Sequence, residues 1–368
     1  MDGPPIRHAG IDDLDALVAL EERCFTTDRL SRRNFRYMLT DARAATLVLD
    51  DGRTIGGYVL VLFSKGTALA RLYSIAVDAA MRGRGVGRAL IESAEDEALG
   101  RGCVSMRSEV RQDNTASRTL FERAGYQVFD EVDDYYEDHM GALRFERILA
   151  PRPDLSQVRV PYYQQTTDFT CGPACLMMAM RALDEGLDLD RRTELRLWRE
   201  STSIYMTSGH GGCGPYGLAL AAHNRGFRVE LFVKESGPFL IDTVRSEEKK
   251  EVMRVVEEDF LDQLATAGIS IHHRPLAFDE LRGRFAAGAI PVVLISSHRI
   301  YEERFPHWLV LTGFDRDFVY AHDPFVDDEE GESVSDCVNM PIARLELERM
   351  ARYGRSGQRA VLVIEARG

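Results

Sequence analysis

Pro151 and Pro153 stand two residues apart in "APRPDLSQ" (150–157), a stretch without hydrophobic period, and they divide the chain. Proline fixes its own φ, lacks an N–H and biases the residue before it away from helix, so no regular element runs through such a stretch. The apolar periodicity on either side must therefore find its core separately. A length of 368 residues suits two cores. The expectation is a domain over 1–149, a linker over 150–156 and a second domain over 157–368.

Charge narrows the partners. The net charge of −13 is shared, −5 over the first 150 residues and −8 over the rest, so neither half is basic. Phosphate neutralisation needs Lys and Arg in excess, which argues against nucleic acid as a partner, whereas a basic peptide would be attracted. The acidic runs "DEVDDYYED" and "DDEEGE" read as solvated surface or as part of that attraction. "MDGPPIRHAG" lacks the basic-then-apolar order of a signal peptide, and no apolar run is long enough for a bilayer. The expectation is a cytoplasmic protein without membrane contact. Its six scattered cysteines then suit reduced thiols.

Residues 1–149 alternate strand and helix patterns: "PIRHA", the helix "IDDLDALVALEERCF", a hairpin "ATLVLDDGRTIGGYVLVLF", the strand "ALARLYSIAV", the helix "GVGRALIESAEDEALG", the strand "CVSMRSEV" and the helix "NTASRTLFERAG". Arg82-Gly83-Arg84-Gly85-Val86-Gly87 falls between a strand and a helix. Glycines there let backbone N–H groups crowd an anion at the positive end of the helix, and a pyrophosphate would fit. Tight turns also need glycine, so the turn alone does not select a ligand.

This R-x-x-G-x-G turn, followed by "SEVRQDNTASRTLFERAGY", resembles the GNAT acetyltransferase superfamily, in particular ribosomal-protein-alanine N-acetyltransferases, over residues 5–149. The resemblance implies acetyl-CoA as co-substrate. Its pyrophosphate would lie on the amides of residues 82–87, its pantetheine along Ile75, Ala76 and Val77, and Asn114 would steady that arm. Glu109 matches the general base that strips the incoming amine of a proton, or else is a solvent-facing strand carboxylate. Where the family commonly has a tyrosine to protonate the departing thiolate, this chain has Phe121. Tyr126, Tyr135, Tyr136 or water would supply the proton, or the domain binds the co-substrate and transfers slowly or not at all.

In the second half, "TTDFTCGPACLMMAM" sets Cys171 at the mouth of an apolar helix, where a helix N-terminus lowers a thiol pKa. A nucleophilic cysteine needs a histidine and a group to orient it. "HWLVLTGFDRDFVYAHDP" reads as two strands joined at "FDRD". A hairpin folded about residue 315 makes His307 and Asp323 cross-strand neighbours. Gln165, six residues before Cys171, is placed to meet a developing oxyanion together with the Cys171 N–H.

Q-x5-C-G followed by H-x15-D-P resembles the papain-like cysteine peptidases that cleave leader peptides after double glycine, over residues 157–368. The resemblance maps the site onto Gln165, Cys171, His307 and Asp323. The fold class expected is thus α/β plus α+β, a GNAT fold followed by a papain-like cysteine peptidase fold. The activities expected are acetyl transfer to a peptide or protein amine and cleavage by a peptidase, amidase or transpeptidase, with no metal. A sensor of acetyl-CoA in the first half, or a peptide-binding module without catalysis in the second, are the other classes. Weighed against the nucleophile are a buried Cys171, zinc held by Cys171, Cys175, His210 and Cys213, a Cys171–Cys175 disulfide, and Cys213 as nucleophile in its own "CGPYG" turn. His210, His298 and His322 read as loop or strand histidines.

Overall fold

The computed structural model describes residues 6–40, 43–52, 54–152, 154–202, 211–234, 239, 241, 244, 246–303, 305–327, 331–354 and 356–367. They form two compact units, Met1–Pro151 and Arg152–Gly368.

The first unit is a mixed sheet with helices on both faces. In chain order it contains β1 (Ile6–His8), α1 (Leu14–Cys24), α2 (Arg32–Thr40), β2 (Ala44–Asp50), β3 (Ile55–Phe63), β4 (Leu69–Val77), α3 (Val86–Gly100), β5 (Ser105–Arg111), α4 (Thr115–Arg123), β6 (Gln127–Val132) and β7 (Ala142–Ile148). The strand order is β1-β2-β3-β4-β5-β7-β6. Alternation along β3 sends Val59 and Val61 toward Leu90, Ile91 and Phe121 on α3 and α4, and Tyr58 and Leu60 toward Leu17, Leu20 and Phe35 on α1 and α2. The helix α2 and the hairpin β6–β7 were not read from the pattern. In β6 five of the six residues are exposed, so it shows no apolar alternation, whereas α2 does set Phe35, Met38 and Leu39 at helical spacing toward the core among five polar or charged residues.

One pairing shapes this unit. The strands β4 and β5 run parallel but pair only from Leu69–Arg71 to Ser105–Arg107, and Ser108 Oγ closes the ladder by donating to Leu72 O at 3.0 Å. A bulge at Tyr73 follows, because Leu60 pairs with Ser74 and Val61 with Leu72. Beyond it the two strands part, leaving a cleft of about 660 Å³ between them.

The second unit contains β8 (Ser156–Gln157), α5 (Cys171–Leu183), α6 (Arg191–Ser201), α7 (Pro215–His223), β9 (Arg228–Val233), α8 (Glu247–Thr266), β10 (Ser270–His273), α9 (Phe278–Ala286), β11 (Ile290–Ser296), α10 (His298–Tyr301), β12 (Pro306–Phe314), β13 (Phe318–His322), α11 (Val334–Cys337), β14 (Met340–Ala343), α12 (Arg344–Met350) and β15 (Ala360–Glu365). Its sheet runs β10-β9-β15-β11-β12-β13-β14, with β8 added beside β12; among the described residues only β10 and β9 pair in parallel. Residues 171–180 of α5 are buried all round, as the unbroken apolar run requires, against β11 and β12 on one side and α6 and α7 on the other.

Candidate active sites

At the head of α5, Gly172 explains how close the helix comes to the sheet. A Cβ there would lie 3.0 Å from Leu218 Cδ1 and 3.1 Å from Trp308 Cδ1. The helix N-terminus and Cys171 are thereby set against β12. His307, the second residue of that strand, is buried, and its Nε2 meets Asp323 Oδ1 at 2.6 Å. The Cys171 thiol is near enough to act on the imidazole electrostatically, and with Nε2 taken by Asp323 the nitrogen left for the sulfur is Nδ1. Burial by itself would push the imidazole down, but Asp323 and Cys171 outweigh it and raise His307 to about 10.

The pair forms by a different register from the one expected. Val310 stands opposite His322 and Phe314 opposite Val319, so the turn is centred past Arg316, not at Asp315. Asp323 is not directly opposite His307; it falls two positions short, just after β13 ends. A bulge between Leu311 and Gly313 restores the parity, and with it the shared face.

Gln165 is fixed by its backbone, with its N–H donating to Pro324 O at 2.8 Å. One N–H of its side-chain amide goes to Thr167 O at 2.9 Å. An amide nitrogen has a second N–H, and Oε1 is buried without a partner among the described residues. Sequence reasoning missed what holds this loop. Glu194 on α6, fully buried, accepts Tyr163 Oη (2.9 Å), Thr166 N (2.8 Å), Thr166 Oγ1 (2.7 Å) and Thr170 Oγ1, so one carboxylate ties down the approach to Cys171.

The rival cysteines are differently placed. Cys175 is buried and donates to Trp308 O at 3.1 Å, and Cys213 lies against Trp198 O; burial and the neighbouring Cys171 push both thiols up. Neither is suited to ionise near neutral pH. All six cysteines are free thiols. His210 lies outside the described residues, and with it the fourth ligand of the zinc grouping. His322 is a buried strand histidine, between Val160 O and the Asn339 N–H, while His298 opens the short α10 and bonds Glu302 O.

In the first unit, Glu109, Asn114, Ile75 and Phe121 line the cleft, whereas Ala76, Val77 and residues 82–87 do not. Ala76 points into the core, so only its backbone is available to a ligand. The turn itself has the shape an anion needs. Gly83 (φ 74°) and Gly85 (φ 79°) are left-handed, with open space where a Cβ would be, and α3 starts at Val86 with its first N–H groups lacking intrahelical acceptors. Asn114 caps α4 through its side-chain oxygen, which accepts Ser117 N at 3.0 Å; its amide nitrogen is not part of that bond.

Glu109 is paired with buried Arg71 at 3.8 Å. Tyr135 and Tyr136 line the same cleft, and burial together with the Glu109 charge pushes both phenols up, so they hold their protons. Tyr126 is turned away, packed edge-on to Phe121 at 5.1 Å. A third group was not foreseen: buried Glu21 accepts Tyr58 Oη (2.5 Å) and Leu30 N (2.8 Å), and Tyr58 Oη meets Ser74 Oγ at 2.7 Å.

Comparison with known proteins matches residues 160–365 to a peptidase C39-like family and residues 14–126 to the acetyltransferase (GNAT) family. An uncharacterized N-acetyltransferase of Methanocaldococcus jannaschii is 29% identical over 139 residues, 38% of this chain and 87% of the relative. A ribosomal protein bS18 alanine N-acetyltransferase of Salmonella typhimurium is 39% identical over 72 residues, 20% of this chain and 49% of its own length, so about half of that relative is spanned. The crystal structure of a ribosomal-protein-alanine N-acetyltransferase from Escherichia coli aligns at 25% identity and a TM-score of 0.38, covering 41% of this chain and 96% of that one. No helix among the described residues is long and apolar enough to cross a membrane.

Proposed function

Because the chain belongs to the peptidase C39-like family through residues 160–365 and carries a GNAT-fold acetyltransferase domain ahead of it, we propose that it is a bifunctional enzyme. In this reading residues 1–149 transfer an acetyl group from acetyl-CoA to a peptide or protein amine, residues 150–156 link, and residues 157–368 cleave an amide bond. The observation that carries the second activity is the buried His307–Asp323 pair at 2.6 Å, close enough to the Cys171 thiol for its charge to act on the imidazole.

Cys171 gives its proton to His307 Nδ1 and attacks the carbonyl carbon as thiolate, favoured by the N-terminus of α5. The oxyanion receives the Cys171 backbone N–H and the second N–H of Gln165 Nε2. His307 returns the proton to the departing amine, and water then releases the acyl group from the sulfur. Asp323 keeps the imidazole in one orientation throughout.

For the first activity, acetyl-CoA supplies the acetyl thioester. Its pyrophosphate suits the amides of residues 82–87 beside Arg82 and Arg84, and its pantetheine suits the side of Ile75–Val77 turned away from β3 and the Asn114 amide. Glu109 accepts the proton of the incoming amine, directly or through water. The relatives named for ribosomal protein alanine acceptors make a protein α-amine the substrate class of choice.

The test is a peptide library incubated with the full chain, with and without acetyl-CoA, and read by mass. Backbone cleavage lost in Cys171→Ala, and acetyl gain lost in a Glu109→Gln variant, support the reading; a library unchanged in mass refutes it.

A further inference from the structure

Asp323 has an oxygen left over from its histidine contact, and that oxygen is used. Oδ1 accepts both His307 Nε2 (2.6 Å) and the Phe325 N–H (2.9 Å), while Oδ2 accepts the hydroxyl of Tyr301 at 2.8 Å. Tyr301 is the last residue of α10, and Glu302 after it takes a left-handed φ of 61° that turns the chain toward β12. The Tyr301 ring stands edge-on to His307 (centroids 5.9 Å, 86°) and to Phe325 (5.2 Å, 81°). Phe305 stacks on it at 6.2 Å and is itself edge-on to His307 at 5.9 Å. Imidazole and carboxylate thus lie in an aromatic box, where a hydrogen bond to a carboxylate counts for more than in water.

Resting on the peptidase reading above, we infer that Tyr301 is a positioning residue for amide cleavage: its hydroxyl pins Asp323 Oδ2, so that Oδ1 is aimed at His307 Nε2 and Nδ1 stays toward Cys171. A carboxylate held only by the imidazole turns about its own Cβ–Cγ bond, and the imidazole turns with it. Three donors on two oxygens remove that freedom. The titratable groups facing the pair are Cys171 and Cys175 from α5, Tyr301 from α10, and Glu332 and Cys337 from the segment after β13. Tyr301 donates to the Asp323 carboxylate and keeps its proton, since burial and that carboxylate hold its phenol well above the usual range. Its ring does a second task by keeping water from the pair.

The experiment uses the full chain and Tyr301→Phe, which keeps the ring and removes only the hydroxyl. Iodoacetamide alkylation of Cys171 is followed by peptide mass from pH 5 to 10, a measurement that needs no peptide substrate. A less firmly held Asp323 stabilises the imidazolium less, and the imidazolium in turn stabilises the thiolate less. The alkylation curve therefore moves to higher pH, with a rate at pH 6 lower by at least threefold, about half a pH unit. The basic limb of peptide cleavage moves the opposite way, because His307 loses its proton sooner. Phe305→Leu, which disturbs the box and leaves the hydroxyl, moves either curve less.

Identical curves for wild type and Tyr301→Phe overturn the assignment and leave the peptidase reading standing. So does an equal shift in Phe305→Leu, which would credit packing alone. Alkylation of the buried Cys175 in Tyr301→Phe would make the hydroxyl a group that holds the fold, and would also overturn it. A wild-type Cys171 that fails to react at pH 6 brings down the peptidase reading itself, and this inference with it.

Discussion

His307 and Asp323 are two positions away from direct opposition on the β12–β13 hairpin, yet Nε2 and Oδ1 are 2.6 Å apart. The bulge between Leu311 and Gly313 makes this possible, since a shift by one residue turns a side chain to the other face and a shift by two does not. Removing any member of the set should cost in the order of its closeness to the chemistry. Cys171→Ala abolishes cleavage, His307→Ala lowers it by roughly 10⁴-fold, and Asp323→Ala by roughly 10²-fold in kcat, measured on a peptide the wild type cleaves. Cys213→Ala keeps most of the activity.

Gly172→Ala tests whether close packing places the nucleophile. The added methyl meets Leu218 Cδ1 at 3.0 Å and Trp308 Cδ1 at 3.1 Å, so the head of α5 must shift by a few tenths of an ångström. Such overpacking costs about 1–3 kcal/mol. The expected result is a lower melting temperature together with slower alkylation of Cys171. Gly217→Ala, whose methyl would lie 2.5 Å from the Ser201 carbonyl oxygen, should destabilise more while acting further from the site.

Stability of the second unit should fall as pH rises through the neutral range. Burial raises the Glu257 carboxyl to about 8 against the opposing Phe239 N–H, and the unfolded chain has it near 4.5. The protonated form is therefore favoured by the fold. Its contribution is complete below pH 4.5 and is lost as pH approaches 8, with Glu332, also raised to about 8 by burial, acting in the same sense. Glu257→Gln, which can still accept from the Phe239 N–H, should flatten part of that slope in urea titrations of the full chain at pH 5 and pH 8. An unchanged slope would rule Glu257 out as its source.

Acetyl-CoA should raise the melting temperature of the first unit, by about 2.7 kcal/mol of stabilisation at a hundredfold excess over Kd. Arg82→Ala combined with Gly85→Val removes a charge and forces a β-branched residue into a left-handed turn at φ 79°. The increment due to acetyl-CoA, rather than the absolute melting temperature, should vanish. Equal increments would exclude the 82–87 turn as the pyrophosphate site.

Phe121→Tyr restores a proton donor to the wall of the cleft. Acetyl transfer to a peptide with a free N-terminal alanine should rise, by up to the range of general acid catalysis, roughly 10²–10⁴-fold. No gain would point to Tyr135 or Tyr136, which line the cleft in the protonated form.

Much of this protein is written locally. A glycine turn before a helix, a cysteine at the head of an apolar run, and two strands with a short turn each depend on residues close in sequence, so their spacing reveals the helix N-termini around Gly85 and Cys171 and the hairpin carrying His307. The exposed β6 carries no such period, and it forms because β7 is there to receive it. The hairpin's true register, the grip of Glu194 on Thr166 and Thr170, and the hydroxyl of Tyr301 on Asp323 lay beyond spacing alone. These join residues 22 or more apart or depend on a one-residue bulge, and a buried hydrogen bond leaves no periodic trace in the chain. Only the packed sheet, by deciding which face each side chain occupies, brings such partners within reach.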